Sequence, residues 1–399
     1  MKIIDTVDAS SKEKSVAVIG SPDLEFYGGT QVNVLQLANF LSQSGYRVTI
    51  YGSGTYFKRR EVELGNNIRY FPHSFRFDPF SWEPILKASS GISEPLIGMF
   101  TSRKVAKTVG TFDIYYFTAP KFVMYALSKH VIRDVPLIIG NHGTYIEYLS
   151  SKSDFLSKSL LNLFDSIFLK YVGMKNTFIH AQNNLQMEHY IKRGIDAKKI
   201  FVIPQCDVDF SLYSVKDNDK FRVVFLNRLS SDKGADFIAE IAKRCEEIDF
   251  IVIGDGPLRN RLDERCGPNV KLTGFLSESA KNEELGNCDA MINLSKYESL
   301  SISSIEGIAS GLTVISRNST SGLNFIHEKI PESVLFADGT VESTCCVIKQ
   351  IKNEKDSDRK KFVEKKLKIR SKGEAVFDKK VIIGKMVELF KTVQSLARA

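Results

Sequence analysis

Short apolar segments rich in β-branched residues alternate with segments of helical periodicity along most of this sequence. Parallel strands buried on both faces have this continuous apolar composition, whereas amphipathic helices repeat apolar residues at three- and four-residue spacing. We predict a first series of strands at residues 16–19, 48–51, 114–117, 137–139 and 178–181, and a second at residues 221–226, 250–253, 270–273, 290–294 and 313–316. Repeated βα units of this kind predict an α/β protein built from doubly wound parallel sheets.

The alternation is interrupted between the two series of strands. After Pro204 the sequence becomes polar, and residues 214–220 are typical of a linker. A length of 399 residues suits two or three domains. We therefore predict two Rossmann-like domains that face each other across a cleft, at residues 1–205 and 206–380.

Three helices are predicted with particular clarity. Residues 30–44 have apolar positions at helical spacing, with Thr30 as an N-cap and Gly45 just beyond the C-terminal end. Residues 154–171 form the longest helical candidate of the first domain, and residues 381–396 form a final amphipathic helix.

Cysteine spacing and hydropathy indicate a reducing, aqueous compartment. The six cysteines show no C-x-x-C spacing, so the sequence predicts neither a zinc site nor a disulfide framework. The first residues lack the apolar core of a signal peptide, and no apolar run reaches the roughly 18 residues of a membrane span. We expect a cytoplasmic protein.

Positive charge is concentrated in residues 349–399, here called the basic segment. The whole chain carries a formal charge of +8, and the basic segment holds 16 Lys or Arg against 7 Asp or Glu. Two interpretations remain open: a solvated helix face, or a peripheral contact with anionic lipid on the inner face of a membrane. Aromatic residues are not interleaved with the charges as base stacking requires, so nucleic acid is not expected as a partner.

Two cations follow the first strand of the second series. Arg228 and Lys233 lie five residues apart, and Gly234 allows the loop to turn tightly. Arginine can fork across two phosphate oxygens, and lysine adds a mobile point charge. The alternative is a pair of solvated loop cations. Because open parallel sheets bind ligands at the carboxyl ends of their strands, this position favours a diphosphate site.

Glycines also follow predicted strands. Gly28 and Gly29 precede the first predicted helix, and Gly254 opens a turn in which Pro257 is the expected first helical residue. A backbone without side chains can approach an anion closely, and a helix N-terminus offers N–H groups to it. The alternative is a set of plain turns. Since no G-x-G-x-x-G follows the first strand, a nicotinamide cofactor is not expected.

Glu298 and Glu306 are separated by eight residues. On one continuous helix they would be about 12 Å apart along the axis and could not share a small site. If Glu298 lies in a loop and the helix begins near Ser303, both can face the same cleft, where a carboxylate suits the vicinal hydroxyls of a ribose. The alternative is a capping box, in which Glu306 bonds the start of its own helix.

Histidine and aspartate motifs are less specific. His142 lies in a glycine-flanked loop after a predicted strand, where doubly wound domains line their cleft, although a lone histidine is more often structural. Asp207 and Asp209 resemble a D-x-D metal motif but have no partner ligands nearby in the sequence. We expect no metal site.

Taken together, these motifs resemble the large family of retaining GT-B glycosyltransferases that contains sucrose-phosphate synthase and the phosphatidylinositol mannosyltransferases. The resemblance extends nearly end to end. Its most specific part is the order and spacing of matches in the second domain, namely Arg228, Lys233, Gly254, Gly274 and Glu298-x7-Glu306. It implies a GT-B fold whose C-terminal helix, residues 381–399, crosses back to the first domain.

The resemblance also implies a role for each matching position. Arg228 and Lys233 would hold a donor diphosphate, and Glu306 would bind the ribose hydroxyls. Glu298 would face the donor sugar, with His142 near the reacting sugar from the other domain. Further donor contacts would come from Gly28, Gly29, Gly254, Gly274, Leu300, Ser301 and Ile302.

The implied function is transfer of a hexose from a nucleotide-diphosphate sugar to a glycan or lipid-linked acceptor. The family's mechanism retains the anomeric configuration, and no metal or other cofactor is implied. One departure is Ser299-Leu300-Ser301, where the family usually has Gly-Phe-Gly. This departure favours an alternative, a catalytically weak nucleotide-sugar-binding subunit of a glycan-assembly complex. A nucleotide-sugar epimerase is disfavoured because its acid/base set has no evident match.

Overall fold

The first sheet contains seven strands among the described residues. The computed structural model describes residues 14–21, 29–53, 67–73, 111–117, 135–140, 176–204, 206, 208–317 and 320–398. The strands are β1 (Lys14–Ser21), β2 (Tyr46–Ser53), β3 (Ile68–His73), β4 (Ile114–Phe117), β5 (Leu137–Gly140), β6 (Thr177–Ala181) and β7 (Ile200–Val202). All pair in parallel in the order β3-β2-β1-β4-β5-β6-β7. Strands are added on both sides of β1, as in a doubly wound sheet.

Two α-helices of the first domain are described, α1 (Gly29–Gln43) and α2 (Asn184–Ile191). Helix α1 buries Val34 and Leu41 against the sheet. Gly45, just beyond its end, has a φ of +83°, the left-handed conformation expected of a glycine that terminates a helix. Thr30 is not the N-cap that its sequence position predicted, because the helix already begins at Gly29. The predicted helix at residues 154–171 lies outside the described residues.

The second sheet is parallel as well. Its strands are β8 (Arg222–Leu226), β9 (Asp249–Ile253), β10 (Val270–Gly274), β11 (Ala290–Asn293), β12 (Thr313–Ser316) and β13 (Val334–Phe336), in the order β10-β9-β8-β11-β12-β13. The helices that follow these strands are α3 (Ile238–Arg244), α4 (Arg259–Arg265), α5 (Glu278–Gly286), α6 (Ile302–Ala309), α7 (Ser321–Lys329) and α8 (Val341–Ser357). The predicted α/β protein with two doubly wound parallel sheets is confirmed.

Three strands escaped prediction, and all three are sheet edges: β3 and β7 in the first sheet and β13 in the second. The central strand β4 is buried throughout, whereas β7 and β13 are only partly buried and three residues long. The strand β3 contains Arg69 and Pro72, and β7 and β13 are three residues long, so each is shorter or less continuously apolar than a typical strand of about five to six residues.

Helices α9 (Arg359–Phe377) and α10 (Lys379–Arg398) complete the chain. The ring of Phe390 on α10 lies 6.0 Å from those of Tyr46 and Tyr116 in the first domain. Lys14 Nζ on β1 donates to Gln394 Oε1 at 2.8 Å. Helix α10 therefore packs on the first domain. The predicted domain limits at 205/206 and 380/381 remain a prediction.

A buried charge cluster fastens the basic segment to the second sheet. Lys355 Nζ lies 2.9 Å from Asp289 Oδ2, and Lys366 Nζ lies 3.2 Å from Asp289 Oδ1. The three side chains are at most 5% exposed. Burial lowers the pKa of Lys366, and the Asp289 carboxylate opposes that shift. Because a buried charge needs a partner, these two lysines are committed to the fold.

Other cations of the basic segment are also paired. Arg359 bonds Asp217 at 2.7 Å and Asp219 at 2.8 Å, and Lys372 lies 2.6 Å from Glu332. Such exposed pairs add little stability each. They do neutralise part of the charge that the sequence shows. The predicted contact with anionic lipid therefore rests on the remaining lysines and stays a prediction.

Candidate active site

The loops at the carboxyl edge of the second sheet are tied to one another by backbone hydrogen bonds. Leu229 N donates to Asp255 O at 2.9 Å, which joins the loops after β8 and β9. Gly254 N donates to Gly274 O at 2.9 Å, which joins β9 to β10. Lys296 N donates to the Asp232 carbonyl at 2.9 Å, which joins the loop after β11 to that after β8. Side chains on these loops are thereby held on one rigid edge.

Glycine is required at two of these turns by close backbone contact. Gly234 has a φ of +72°, and a Cβ there would lie 2.3 Å from Leu294 O. Gly254 has a φ of +132°, and a Cβ there would lie 2.1 Å from Asn227 O. Their structural role is therefore established whether or not a ligand is bound. Pro257 precedes α4 by two residues and is not the first helical residue, contrary to prediction, because a turn at 257–258 intervenes.

The structure brings Lys233 and Glu298 into direct contact. Lys233 Nζ lies 2.9 Å from Glu298 Oε1, and the side chains are 25% and 10% exposed. Ser295 Oγ also donates to Glu298 Oε1, at 2.7 Å. The cation predicted for the diphosphate and the carboxylate predicted for the sugar thus form one partly shielded ion pair.

Arg228 differs from Lys233 in its surroundings. Its side chain is exposed, and no described residue forms a hydrogen bond or an ion pair with its guanidinium group. It follows β8 by two residues, on the same loop as Lys233. Arg228 is therefore the cation of this loop whose charge is left for an anionic ligand.

Glu306 is held by two residues that the sequence did not reveal. Its Oε1 accepts from Tyr213 Oη at 3.0 Å and from Lys281 Nζ, while no described residue bonds to its Oε2. Burial raises the pKa of Tyr213 above its usual range, and the charge of Glu306 adds to that rise. Burial lowers the pKa of Lys281, but Glu306 and Glu278 outweigh it and leave that pKa raised.

These contacts contradict the capping-box alternative for Glu306. Helix α6 begins at Ile302, and its N-cap is Ser301, whose hydroxyl accepts from Ser304 N at 3.4 Å. Asn293 Nδ2, at the end of β11, donates to Ser301 Oγ at 2.8 Å and holds the capping side chain in position. Glu306 instead turns its carboxylate to Lys281. Glu298 lies in the loop before the helix, so the two carboxylates are not on one continuous helix.

The loop between the two glutamates presents backbone donors. The N–H groups of Leu300, Ser301 and Ile302 have no acceptor among the described residues. The first amides of a helix are ready donors to an anion or a polar ligand. Ser301 has a φ of −88°, which needs no glycine, so its serine is compatible with this backbone path.

Not every predicted site residue can be placed. Gly28 and His142 lie outside the described residues, and Gly29 is the first residue of α1. Gly274 ends β10 with a φ of +72°. Asp209 of the D-x-D pattern lies 2.7 Å from Lys379 and serves as an ion-pair partner of α10. In the part of the chain that is described, no three His, Cys, Asp or Glu side chains gather as metal ligands would.

Comparison with known families decides the assignment. The model of glycosyl transferases group 1 matches residues 213–368, and that of glycosyltransferase family 4 matches residues 27–206. Together they cover most of the chain. The chain carries the two domains of a GT-B glycosyltransferase. The family resemblance predicted from the sequence is thereby confirmed.

Individual relatives of this glycosyl transferase are distant. A human subunit of phosphatidylinositol N-acetylglucosaminyltransferase is 21% identical over 335 residues, which are 80% of this chain and 64% of that protein. The chain thus matches somewhat less than two thirds of the human protein's length.

Solved structures confirm the GT-B fold. Sucrose-phosphate synthase from Thermosynechococcus elongatus has a TM-score of 0.74 at 16% identity, covering 96% of this chain and 99% of that one. The Anabaena protein HepE, solved in complex with UDP, has a TM-score of 0.68 at 14% identity, covering 95% and 100%. Among the helices that the structure describes, none has the length and apolar character needed to cross a bilayer.

Proposed function

We propose that this glycosyl transferase moves a hexosyl group from a nucleotide-diphosphate sugar to a glycan or lipid-linked acceptor, with retention of configuration and without a metal. The observation that carries the proposal is the arrangement at the carboxyl edge of the second sheet. There, Arg228 and the Lys233–Glu298 pair lie on cross-linked loops, and Glu306 lies on helix α6 directly after the loop that carries Glu298. Family membership supports the reaction class.

The charges assign parts of the donor to parts of this edge. Lys233 is balanced by Glu298 and Lys281 by Glu306, and Arg228 is the cation of the loop after β8 that no described carboxylate pairs. A diphosphate would bind Arg228 through two charge-assisted hydrogen bonds and draw Lys233 partly away from Glu298. The carboxylate released in this way can then accept a hydrogen bond from a hydroxyl of the donor sugar.

The ribose of the donor is assigned to Glu306. One of its oxygens is occupied by Tyr213 and Lys281, which fixes the carboxylate's orientation. The other oxygen can accept hydrogen bonds from a pair of vicinal hydroxyls. A carboxylate already held in place loses little freedom on binding.

The transfer step needs no nucleophile from the protein. The acceptor hydroxyl oxygen forms a bond to the anomeric carbon on the same face of the sugar that the leaving group occupied. The bond from that carbon to the phosphate oxygen breaks at the same time. The proton of the acceptor hydroxyl passes to an oxygen of the departing diphosphate. Arg228, Lys233 and the amides of Leu300 to Ile302 would stabilise the charge that develops on the diphosphate.

Two comparisons guide the choice of donor. HepE was solved with UDP, and the human relative is named an N-acetylglucosaminyltransferase. We therefore place UDP-linked sugars first, and UDP-N-acetylglucosamine foremost among them. The acceptor of the human relative, by its name, is a phosphatidylinositol, which supports a lipid-linked acceptor and a peripheral contact of the basic segment with anionic lipid.

A second candidate is a nucleotide-sugar-binding subunit with weak catalysis of its own. It is favoured by Ser299-Leu300-Ser301 in place of glycines and by the human relative's designation as a subunit. In this case the chain would bind a donor but require a partner for transfer.

Thermal-shift titration with UDP-, GDP- and ADP-linked sugars tests both candidates. A ligand that binds only the folded state raises its stability, so the correct donor raises the melting temperature in a saturable way. Slow release of free sugar from that donor by the purified chain supports the transferase over the subunit. A chain stabilised by none of these nucleotides would contradict both.

A further inference from the structure

Asn183, at the start of α2 in the first domain, reaches the sugar-facing loop of the second domain. Its Nδ2 donates to the Ser299 carbonyl at 2.8 Å, and its Oδ1 accepts from Gln186 N at 3.0 Å as the N-cap of α2. The side chain has no solvent exposure. The two ends of one amide thus bond to two domains. The oxygen caps the residue's own helix α2, and the nitrogen donates to the loop of the second domain.

The loop that Asn183 reaches carries part of the candidate site. Glu298 precedes Ser299, and the amides of Leu300 to Ile302 follow it. On its other side this loop is held by α7, where Gly322 N donates to the Glu298 carbonyl at 2.8 Å. The Glu298 carbonyl is thus fixed from the second domain itself, and the Ser299 carbonyl is fixed from the first domain.

We propose that Asn183 is a positioning residue that makes the shape of the Glu298–Ile302 loop depend on the approach of the first domain. When the domains lie as in this structure, the Asn183 amide holds the Ser299 peptide, and the next amides along the loop face the bound donor. When the domains separate, that peptide loses this hydrogen bond and the loop relaxes. The loop therefore adopts its catalytically competent conformation only when the first domain, which is expected to bind the acceptor, is in contact with it. This inference rests on the proposed function.

The physical reason for such coupling is protection of the donor. An activated sugar bound in an open, wet site is exposed to hydrolysis, and closure that completes the site limits this side reaction. Arg228 and Lys233 reside entirely on the second domain, so donor binding does not require the Asn183 contact. The contact should act on the rate of transfer and leave donor affinity close to that of the wild type.

The chain offers a matched set of variants. Asn183→Ser keeps an N-capping oxygen and removes the donating nitrogen, since serine caps helices as well as asparagine does. Asn183→Asp keeps the cap and the shape and replaces the nitrogen by oxygen. The control is Asn184→Ala, which removes another hydrogen bond between the domains, from Asn184 Nδ2 to Glu328 Oε2 at 2.7 Å, on the exposed surface next to the first.

Hydrogen–deuterium exchange of the full chain without substrate is the first measurement. We expect faster exchange at residues 298–303 in folded Asn183→Ser and Asn183→Asp, and wild-type exchange there in Asn184→Ala. Unchanged exchange in both Asn183 variants overturns the inference. Hydrogen–deuterium exchange does not depend on activity. A chain that transfers no sugar would therefore contradict the proposed function, while the exchange data would still test the role of Asn183.

Kinetics with the donor found by thermal shift is the second measurement. We expect kcat to fall about tenfold in Asn183→Ser with donor KM unchanged, as for an interaction made only in the assembled site. Wild-type kcat in Asn183→Ser, or an equal fall in Asn184→Ala, overturns the inference.

Discussion

Lys233 and Glu298 form an ion pair at 2.9 Å at the edge where a donor diphosphate is expected, although they come from loops that follow different strands. The two side chains therefore cannot be treated as independent donor contacts. Removing either one changes what the other does, and the two removals should have different consequences.

Substitution of Lys233 by Met should weaken donor binding. The Glu298 carboxylate then faces the diphosphate without its partner, and we expect donor KM to rise about 10- to 100-fold. Glu298→Gln leaves the charge of Lys233 fully available, so donor KM should stay level or fall while kcat falls. Steady-state kinetics with both variants checks this. A rise of donor KM in both variants would contradict the assignment of Lys233 to the diphosphate and of Glu298 to the sugar.

Glu306→Gln should raise donor KM and leave the binding of inorganic pyrophosphate unchanged, because pyrophosphate has no ribose. Tyr213→Phe removes one of the two donors to Glu306 Oε1 and should have the same effect in weaker form, about fivefold for the loss of roughly one hydrogen bond. Calorimetric titration with UDP and with pyrophosphate separates the two ligands. Equal loss for both would place Glu306 at the phosphates instead.

Gly322→Ala should reduce transfer by displacing the loop that carries Glu298. A Cβ at Gly322 would lie 2.9 Å from Leu300 N and Cα, so the loop backbone must move. We expect a loss of about 1–3 kcal/mol in stability, as for overpacking, together with a lower kcat. The matched control is Gly384→Ala on α10, where nothing lies within 4 Å of the new Cβ. The control should keep full kcat and gain about 0.5–1 kcal/mol. Full activity of Gly322→Ala would show that the position of the Glu298 loop does not affect the rate of transfer.

Mild acid should destabilise the first domain through His180. Its ring lies 2.7 Å from both Tyr116 Oη and the Ile203 carbonyl and is fully buried. Burial lowers the pKa of His180 to about 4, partly opposed by the bond to Ile203. The unfolded chain takes up this proton at a higher pH than the folded one. Stability is therefore complete above about pH 6.5 and is lost as the pH falls toward 4, by up to about 3 kcal/mol.

Melting temperatures between pH 7.5 and pH 4 check this prediction. His180→Gln should melt lower at neutral pH and show a flatter dependence on pH in this window. The control His189→Gln alters a half-exposed histidine on α2 and should keep the wild-type slope. A wild-type slope in His180→Gln would contradict the assignment.

Sequence periodicity predicted the sheets well because burial on both faces leaves an unmistakable composition. The predicted strands at 114–117 and 313–316 coincide with β4 and β12, and the boundaries of most others differ by one or two residues. Three of the four edge strands were missed, two of them because they are only three residues long, whereas the fourth, β10, was predicted.

The contacts of the site were less accessible to sequence reasoning. Tyr213 and Lys281 lie 93 and 25 residues from Glu306, and Asn183 lies 116 residues from Ser299. No spacing rule joins residues that meet only because two sheets and a linker have folded. The capping box failed for a local reason, because Ser301 caps α6 and leaves Ser303 inside the helix.

The central claim is that the carboxyl edge of the second sheet binds a diphosphate through the unbalanced charge of Arg228. Calorimetric titration of UDP into wild type, Arg228→Ala and the control Arg265→Ala, an exposed arginine at the far end of α4, tests it most directly. We predict that Arg228→Ala binds UDP about 10- to 100-fold more weakly, while Arg265→Ala binds it as the wild type does. Equal affinity of wild type and Arg228→Ala for UDP would contradict the account.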